Sequence, residues 1–295
     1  MHIGGNILRV KRRPKRFGDC ENEDRQAKNA GHCHHLFFSA KSKTFWTNLT
    51  SERKQDGVRE IRYRVIKEND LFLMTDPSGD IPVNNDSGLG LYTRDTRFLS
   101  RMELTINGEK PVLLHSSAED NYKAHFLLTN RHMEENGQVQ LWRESVEVRR
   151  TRFISENVLY ERVALTSYNP KPVRLELGLA FGADFLDMFA VRGYVPAARG
   201  KHRPAEAADK RLVFGYEGTD GINRATVIEW DHEAGKAAED GTIRFALSLA
   251  PGERIVIPFT ISPVIGEEKP KRIGEKEAIA RLTGSYEQWM KESTQ

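Results

Sequence analysis

A repeated alternation of apolar and polar residues constrains the fold of this chain more than any other feature. In residues 173–181 an apolar side chain recurs at every second position, and polar or small residues lie between. Four similar runs follow, at 211–217, 224–230, 242–250 and 254–264. Ten or more such runs with no helical stripe between them predict an all-β fold, a large antiparallel β-sandwich with one wet face on each sheet.

Two short turns predict hairpins within this sandwich. Asn107-Gly108 separates the run 98–106 from the run 111–115, and this dipeptide suits the positive φ angles of a type I′ turn. Ser155-Glu156-Asn157 marks a second turn. Residues 193–210, rich in Ala, Arg, Gly and Pro, are expected to be a mobile surface loop.

The first 57 residues differ in charge from the rest. They contain 12 Lys/Arg and 6 Asp/Glu, a net charge of +6, whereas the remaining 238 residues contain 33 and 36, a net charge of −3. The segment has no periodicity and predicts a disordered basic tail at 1–57. Its basic run at 9–16 has two interpretations, a solvated tail or a patch for an anionic surface, and the first is favoured. The acidic remainder predicts no nucleic-acid partner.

Cysteines are too few for a disulfide framework, since Cys20 and Cys33 are the only two. This usage predicts a reducing, cytoplasmic location. His32, His34 and His35 lie beside Cys33, but the spacing matches no zinc finger or ribbon, and we predict no metal site and no cofactor. No apolar run reaches the roughly 18 residues that span a bilayer, so no membrane partner is expected.

The C-terminal end alone has helical periodicity, over residues 275–291. Its apolar stripe consists of Ile279, Leu282, Tyr286 and Trp289. The stripe either folds back on the sandwich or contacts a partner domain. The predicted domains are therefore a tail at 1–57, a β-sandwich at 58–266, and a linker with a C-terminal helix at 267–295.

Residues 76–101 form a connection that is too long for a plain turn. Its charged and aromatic positions include Tyr92, Arg94, Asp95, Arg97 and Phe98. Connections of this length in a compact domain are more often functional or disordered than idle. Gly88 and Gly90 follow no strand and open no helix in a GxGxxG pattern, which argues against a nucleotide site.

Four blocks of sequence carry a resemblance to a known family. They are TDPSGDIP (75–82), DSGLGLYTRDTRFLSRMEL (86–104), RRTRFISENVLYERVALTSYN (149–169) and ADFLDMFAVRG (183–193). Together they resemble the N-terminal domain of bacterial and archaeal glycogen-debranching enzymes of the amylo-alpha-1,6-glucosidase type, over roughly residues 60–293.

The resemblance implies a β-sandwich followed by a helical α/α barrel that carries the catalytic carboxylates. The chain ends where that barrel is expected to begin, so we expect a non-catalytic domain that supports a glycoside hydrolase barrel. The expected partner is this glucosidase barrel, with an α-glucan as a second candidate, and no catalytic residue is assigned here. The alternative is a stand-alone glycan-binding module.

Seven residues of the family blocks are candidates for a substrate rim or an interdomain surface. They are Tyr92, Arg94, Asp95, Arg97, Asp184, Asp187 and Arg192. The arginines offer forked donors for carboxylates or sugar hydroxyls, and Asp95 between them is their natural internal partner. Two alternatives remain open, a rim or interface role and a purely internal salt-bridge knot. The family carries Glu where this chain has Ala190, which removes one carboxylate from the pattern.

Overall fold

The computed structural model describes residues 63–83, 88–118, 121–196, 198–271 and 274–293, and the predicted tail lies outside them. The strands are β1 (Arg64–Glu68), β2 (Leu71–Thr75), β3 (Gly90–Thr93), β4 (Thr96–Leu99), β5 (Arg101–Ile106), β6 (Val112–Ser117), β7 (Lys123–Thr129), β8 (Met133–Glu135), β9 (Gln138–Leu141), β10 (Val146–Ser155), β11 (Val158–Ser167), β12 (Val173–Gly182), β13 (Lys201–His202), β14 (Glu206–Ala208), β15 (Arg211–Glu217), β16 (Asn223–Trp230), β17 (Gly235–Ala237), β18 (Thr242–Leu249) and β19 (Arg254–Ile265). The helices are α1 (Met188–Val191) and α2 (Glu275–Ser293).

These strands form four antiparallel sheets in the part of the chain that the structure describes. The largest has nine strands, in the order β13-β15-β16-β19-β11-β10-β7-β6, with β14 also paired to β15. One four-stranded sheet has the order β17-β18-β12-β5 and another the order β1-β2-β3-β4. Strands β8 and β9 form a two-stranded ribbon. The predicted all-β, antiparallel sandwich is confirmed.

Aromatic contacts show how the two larger sheets pack against each other. Phe245 of β18 meets Trp230 of β16 and Phe259 of β19 edge to face, with ring centroids 6.4 and 5.8 Å apart. On β12, Leu177 is fully buried, whereas Glu176 beside it is exposed. The alternation seen in the sequence therefore divides a core face from a wet face.

The hairpin predicted around Asn107-Gly108 is only partly correct. Both turn residues have positive φ angles, 49° and 81°, and Ile106 exchanges hydrogen bonds with Glu109. Beyond the turn, however, β5 pairs with β12 while β6 pairs with β7 in the nine-stranded sheet. A tight turn fixes a local chain reversal and does not fix the partner of each strand, so this turn passes the chain from one sheet to the other.

The second predicted turn does join neighbouring strands. Strands β10 and β11 pair over their whole lengths, from Val146 with Ser167 to Ser155 with Val158. Glu156 and Asn157 have φ angles of 50° and 63°, as a two-residue hairpin turn requires. This hairpin lies inside the nine-stranded sheet, between β19 and β7.

Helix α2 folds back on this hairpin. Its Ala278 and Leu282 are buried in a cluster completed by Phe153, Val158 and Tyr160. Of the two alternatives for the predicted stripe, docking on the sandwich therefore holds for Leu282 and for Tyr286, whose ring lies 4.4 Å from that of Tyr122. Ile279 and Trp289, the two ends of the stripe, are 43% and 61% exposed and are not covered.

The segment expected to be a mobile loop contains short strands. Residues 193–196 and 198–200 have no helix or strand, but β13 and β14 both pair with β15 and extend the edge of the nine-stranded sheet. Among the described residues, no helix has both the length and the apolar character needed to cross a membrane.

Candidate functional site

The turn between β3 and β4 carries two of the predicted site residues. Arg94 and Asp95 have φ angles of 44° and 61°, so together they make the reversal of this hairpin. The Arg94 guanidinium lies 3.2 Å from a carboxylate oxygen of Glu268, and both side chains are about half exposed. Asp95 accepts a hydrogen bond from the amide of Met188 through its backbone oxygen.

Arg97 has a different partner from the one that the sequence suggested. Its Nε donates to Oδ1 of Asp184 at 3.0 Å, and its Nη2 donates to Oδ2, which makes a two-point pair. The side chains of Arg97 and Asp184 are 8% and 28% exposed. The expectation that Asp95 would pair with Arg94 and Arg97 is therefore wrong, because each arginine pairs with a carboxylate distant in sequence.

Burial and pairing shift the pKa values of Arg97 and Tyr92. Burial alone would lower the pKa of Arg97, but its hydrogen bond with Asp184 and the neighbouring charges outweigh burial and raise that pKa. Burial raises the pKa of Tyr92 to about 12. Both side chains are therefore in their usual charge states at neutral pH.

Tyr92 and Arg97 hold the backbone before β3. The Tyr92 hydroxyl donates to the carbonyl of Gly88 at 2.7 Å, and Nη1 of Arg97 donates to that of Leu89 at 3.4 Å. A Cβ at Gly90 would lie 2.6 Å from Cδ of Arg97, so only glycine allows this close approach. Tyr92 is buried and is not available to stack on a sugar ring.

The second sequence motif runs alongside β4. The amide of Arg97 donates to the carbonyl of Leu186 at 2.9 Å, and Thr96 and Asp187 form an isolated antiparallel bridge. Asp187 caps α1 by accepting the amides of Phe189 and Ala190 at 2.8 and 2.9 Å. The structure thus brings the two predicted motifs together and assigns Asp187 to a cap.

The aromatic residues of this second motif divide between the core and the surface. Phe185 is buried and stacks on Tyr216, with centroids 5.2 Å apart, and meets Phe98 edge to face at 5.6 Å. Phe189 is 67% exposed. Phe185 therefore belongs to the core, whereas Phe189 belongs to the surface.

The segment 186–199, of which the structure describes all residues but 197, has the character of an Ω-loop, because Phe185 before it and Gly200 after it both contact Tyr216. The amide of Gly200 bonds to the Tyr216 hydroxyl at 2.9 Å, and the His202 ring lies 6.1 Å from that of Phe185. We call this segment the Ω-loop. It exposes large apolar side chains, namely Phe189, Tyr194 and Val195 at 67%, 71% and 77%. Arg192, the last predicted site residue, is exposed and follows α1.

Sequence reasoning missed a group of buried charges, which we call the buried quartet: Asp80, Arg150, Arg152 and Glu161. Arg150 donates to Glu161 at 2.7 Å and to Asp80 at 2.6 Å, and Arg152 donates to the same Glu161 oxygen at 3.0 Å. None of the four side chains is more than 5% exposed. Two cations and two anions leave the group formally neutral, as burial requires.

The quartet also fastens the loop after β2. Oδ1 of Asp76 accepts the amide of Asp80 at 2.9 Å, which closes this loop on itself. Asp80 in turn accepts the amide of Leu104 on β5 at 3.3 Å and pairs with Arg150 on β10. The Asp80 carboxylate therefore links the sheet that contains β5 to the nine-stranded sheet.

The quartet shifts the pKa values of its members in different directions. Burial raises the pKa of Asp80. Burial would also raise that of Glu161, but the charges of Arg150 and Arg152 outweigh burial and hold it below its usual value. Burial, together with the positive charge of Arg150, lowers the pKa of Arg152 to about 10.

A signal for the quartet was present in the sequence. On β10, Arg150 and Arg152 continue the every-second-residue series that begins with Val146 and Val148, and all four are buried. Glu161 continues the inward series of β11 in the same way. Charges placed in phase with a core face indicate a buried ionic network.

A sequence profile of the N-terminal domain of (some) glycogen debranching enzymes matches residues 66–260, more than half of the 295 residues. The chain belongs to this family. No curated protein matches it in sequence. The match includes the residues of the quartet and of the Arg97–Asp184 pair.

Two solved structures show a distant similarity to this debranching-enzyme domain. A putative aldose 1-epimerase from Escherichia coli K12 has 8% identity and a TM-score of 0.38, over 69% of this chain and 99% of that one. A putative kojibiose phosphorylase from human microbiome has 8% identity and a TM-score of 0.39, over 76% of this chain and 28% of that one.

Four carboxylates in the sequence blocks of the debranching-enzyme domain have structural contacts. Asp80 is in the quartet, Asp184 pairs with Arg97, and Asp187 caps α1. Asp76 accepts backbone amides within its own loop. Asp86, a further carboxylate of the sequence motif, lies outside the described residues.

Proposed function

We propose that this chain is the non-catalytic N-terminal domain of a glycogen-debranching-type amylo-alpha-1,6-glucosidase. In this role it supports a glycoside hydrolase barrel and presents the Ω-loop and the β3–β4 turn at the rim of the barrel's active site. The observation that carries the proposal is the contrast between the exposed rings of the Ω-loop and the buried Arg97–Asp184 pair at its base.

The state of the carboxylates supports a non-catalytic role. Glycoside hydrolysis uses two carboxyl groups that flank the scissile bond, one of them free to give a proton. Asp184 and Asp187 lie next to the Ω-loop, but the first is held in a two-point pair with an arginine and the second caps a helix. Neither is placed to exchange protons with a substrate.

The exposed side chains of the Ω-loop support its role as a surface that contacts another domain. Phe189, Tyr194 and Val195 expose more than two thirds of their area within seven residues of sequence. Clustered exposed apolar groups mark interaction sites on soluble proteins. Aromatic residues and arginine, here Arg192, also dominate the energetic centres of protein interfaces.

The Arg97–Asp184 pair supports a positioning role for the residues beneath this surface. Arg97 lies on β4, three residues after the exposed Arg94, and Asp184 lies just before the Ω-loop. The pair therefore connects the β3–β4 turn to the loop, so that the two exposed elements keep one relative arrangement. A preformed surface loses less entropy when its partner binds.

The alternative function is a stand-alone glycan-binding sandwich. The same exposed rings favour it, because aromatic faces can stack on sugars. The two functions differ in what the Ω-loop contacts first, a protein domain or a glycan, and one experiment separates them.

The experiment adds the chain to an amylo-alpha-1,6-glucosidase barrel domain and measures glucose release from an α-1,6-branched glucan. We expect the chain to raise activity, and Phe189→Ala with Tyr194→Ala to remove most of that increase. Tyr168→Ala is the matched control, since Tyr168 is 64% exposed and lies outside the Ω-loop.

Three results would count against the proposal. Glycogen binding by the chain without any effect on the barrel favours the stand-alone module. Equal effects of the double variant and of Tyr168→Ala remove the Ω-loop from the contact. Glucose release by the isolated chain, lost when one of its own carboxylates is replaced, overturns the non-catalytic role.

A further inference from the structure

The two-stranded ribbon of β8 and β9 carries an exposed tryptophan at its base. Trp142 follows β9 and is 60% exposed. Because Met133 pairs with Leu141, His132 and Trp142 lie opposite each other one position further from the ribbon's turn. Their rings are in contact, with centroids 5.4 Å apart. The ribbon therefore holds two rings together, and most of the larger one is open to solvent.

The backbone of Trp142 is held by two buried polar side chains. Nδ2 of Asn130 and Oγ of Ser145 both donate to the carbonyl of Trp142, at 2.5 and 2.6 Å. Asn130 and Ser145 are 1% and 9% exposed. Oδ1 of Asn130 also accepts the amides of Ser145 and Val146, at 3.0 and 2.8 Å. The indole is thus presented from a fixed backbone, and a ring with only two side-chain torsions loses little entropy when a ligand binds.

A carboxylate lies on the same side of the ribbon as the two rings. His132 and Glu134 are two positions apart, which places them on one face of the strand. Nε2 of His132 lies 3.8 Å from Oε2 of Glu134, and their side chains are 40% and 53% exposed. This face therefore combines an aromatic ring with an imidazole and a carboxylate, groups that together can donate and accept hydrogen bonds.

The charge of the ribbon favours an uncharged ligand. Residues 131–144, all of which the structure describes, contain two arginines and three glutamates, a net charge of −1. Nucleic acid and other polyanions bind to basic surfaces, which this segment does not provide. Val139 is the other large apolar side chain that is exposed in the segment. The ribbon is therefore not a contiguous apolar patch of the kind that docks a protein.

We infer that the β8–β9 ribbon binds a neutral α-glucan chain, with one glucose ring stacked on Trp142 and its hydroxyls bonded to His132 and Glu134. A glucose ring has an apolar C–H face and a polar rim, which matches an aromatic face beside hydrogen-bonding groups. The identity of the sugar rests on the proposed function, which makes this chain part of an enzyme that acts on α-glucans. The site itself is argued from the ribbon and shares no residue with the Ω-loop or the β3–β4 turn.

The first test measures the affinity of the 295-residue chain for glycogen from its retardation in native gels. Trp142→Ala should weaken binding about tenfold, as loss of a stacked ring predicts. Trp289→Ala is the matched control, because Trp289 is 61% exposed and lies on α2, and it should keep the wild-type affinity. Both variants should retain the wild-type melting temperature within a few degrees, since both rings are exposed.

A second test identifies the ring that meets the sugar. Titration with maltoheptaose, a short linear α-glucan, should change the tryptophan fluorescence of the chain. Trp142→Phe should abolish this change and retain part of the affinity, whereas Trp289→Phe should keep the change. Raising the salt concentration should leave the affinity unchanged, because the ligand carries no charge that salt can screen.

Four results would overturn the inference. They are no retardation of the wild-type chain by glycogen, equal affinities of the Trp142→Ala and Trp289→Ala chains, loss of binding at high salt, and equally tight binding of a β-1,4-glucan oligosaccharide. Binding is measured on the chain alone, whereas the proposed function is tested by activation of a barrel domain. Glucan binding through Trp142 can therefore hold while the barrel assay fails, and the reverse.

Discussion

The buried quartet and the Ω-loop differ in what their charged residues contact. In the quartet, Arg150 and Arg152 are almost completely buried and bonded to carboxylates from two other segments. In and beside the Ω-loop, Arg192 and Arg199 are exposed. Both regions contain residues of the blocks that resemble the debranching-enzyme family, so family resemblance alone does not distinguish structural charges from surface charges.

The Arg97–Asp184 pair lies between these two extremes. It is buried on the arginine side and partly exposed on the carboxylate side. Burial therefore increases from the Ω-loop through the Arg97–Asp184 pair to the quartet. We expect the loss of stability on substitution to increase in the same order, because the cost of leaving a charge unpaired grows as water is excluded. The comparison can be tested by replacing one charge at each level.

The largest loss of stability is expected when a residue of the quartet is replaced. Arg150→Met should lower the free energy of unfolding by about 3–5 kcal/mol, because it leaves Asp80 and Glu161 buried without their shared partner. Arg149→Met is the control on the same strand, exposed and paired with Glu147, and should cost less than about 1 kcal/mol. Denaturant unfolding measures both, and similar losses would contradict the structural role of the quartet.

A smaller loss of stability is expected at the Arg97–Asp184 pair. Arg97→Ala should cost about 2–3 kcal/mol, since a bonded and mostly buried charge pair is lost while Asp184 can still reach water. Arg94→Ala, on the same hairpin but paired at the surface, should cost less than about 1 kcal/mol. An Arg97 variant as stable as the Arg94 variant would return Arg97 to a surface role.

The quartet also predicts a pH dependence with two signs. The pKa of Glu161 is lowered in the folded state, so its contribution to stability is present above about pH 4.5 and is lost as the pH falls. The pKa of Asp80 is raised, so its contribution increases as the pH falls. Between about pH 5 and pH 3, Glu161→Gln should flatten the loss of stability and Asp80→Asn should steepen it. Unfolding curves at several pH values test this, and slopes that change in the same direction would contradict it.

The smallest effect on stability is expected at the Ω-loop. Tyr194→Ala should change the free energy of unfolding by less than about 0.5 kcal/mol, because the ring is 71% exposed. Thermal unfolding checks this. A loss above about 2 kcal/mol would mean that the ring packs within the domain and is not available to a partner.

The sequence predicted the strands better than it predicted their partners. The alternation of β12 identified its core face correctly, because every second position of a strand faces the same side. The Asn107-Gly108 turn was also correct. The pairing of β5 was not, since the choice between β6 and β12 is made by packing between sheets.

The rim or interdomain role of the seven candidate residues stays a prediction, and their contacts could not be predicted from the sequence. The two motifs around Arg97 and Asp184 do come together, but their pairing joins residues 87 positions apart, which no local pattern indicates. Arg150 and Arg152 could have been found from their phase with Val148. They were missed because charged residues are rarely expected inside a core.

The position of β19 has a consequence for biosynthesis. This strand is among the last elements of the described chain, yet it lies between β11 and β16 near the middle of the nine-stranded sheet. Until residues 254–265 have left the ribosome, β11 and β16 each have an unpaired edge, and unpaired edges are where nascent chains aggregate. The sheet is therefore completed after synthesis has passed residue 265, and incomplete chains that end earlier are the form of this protein most prone to misassembly.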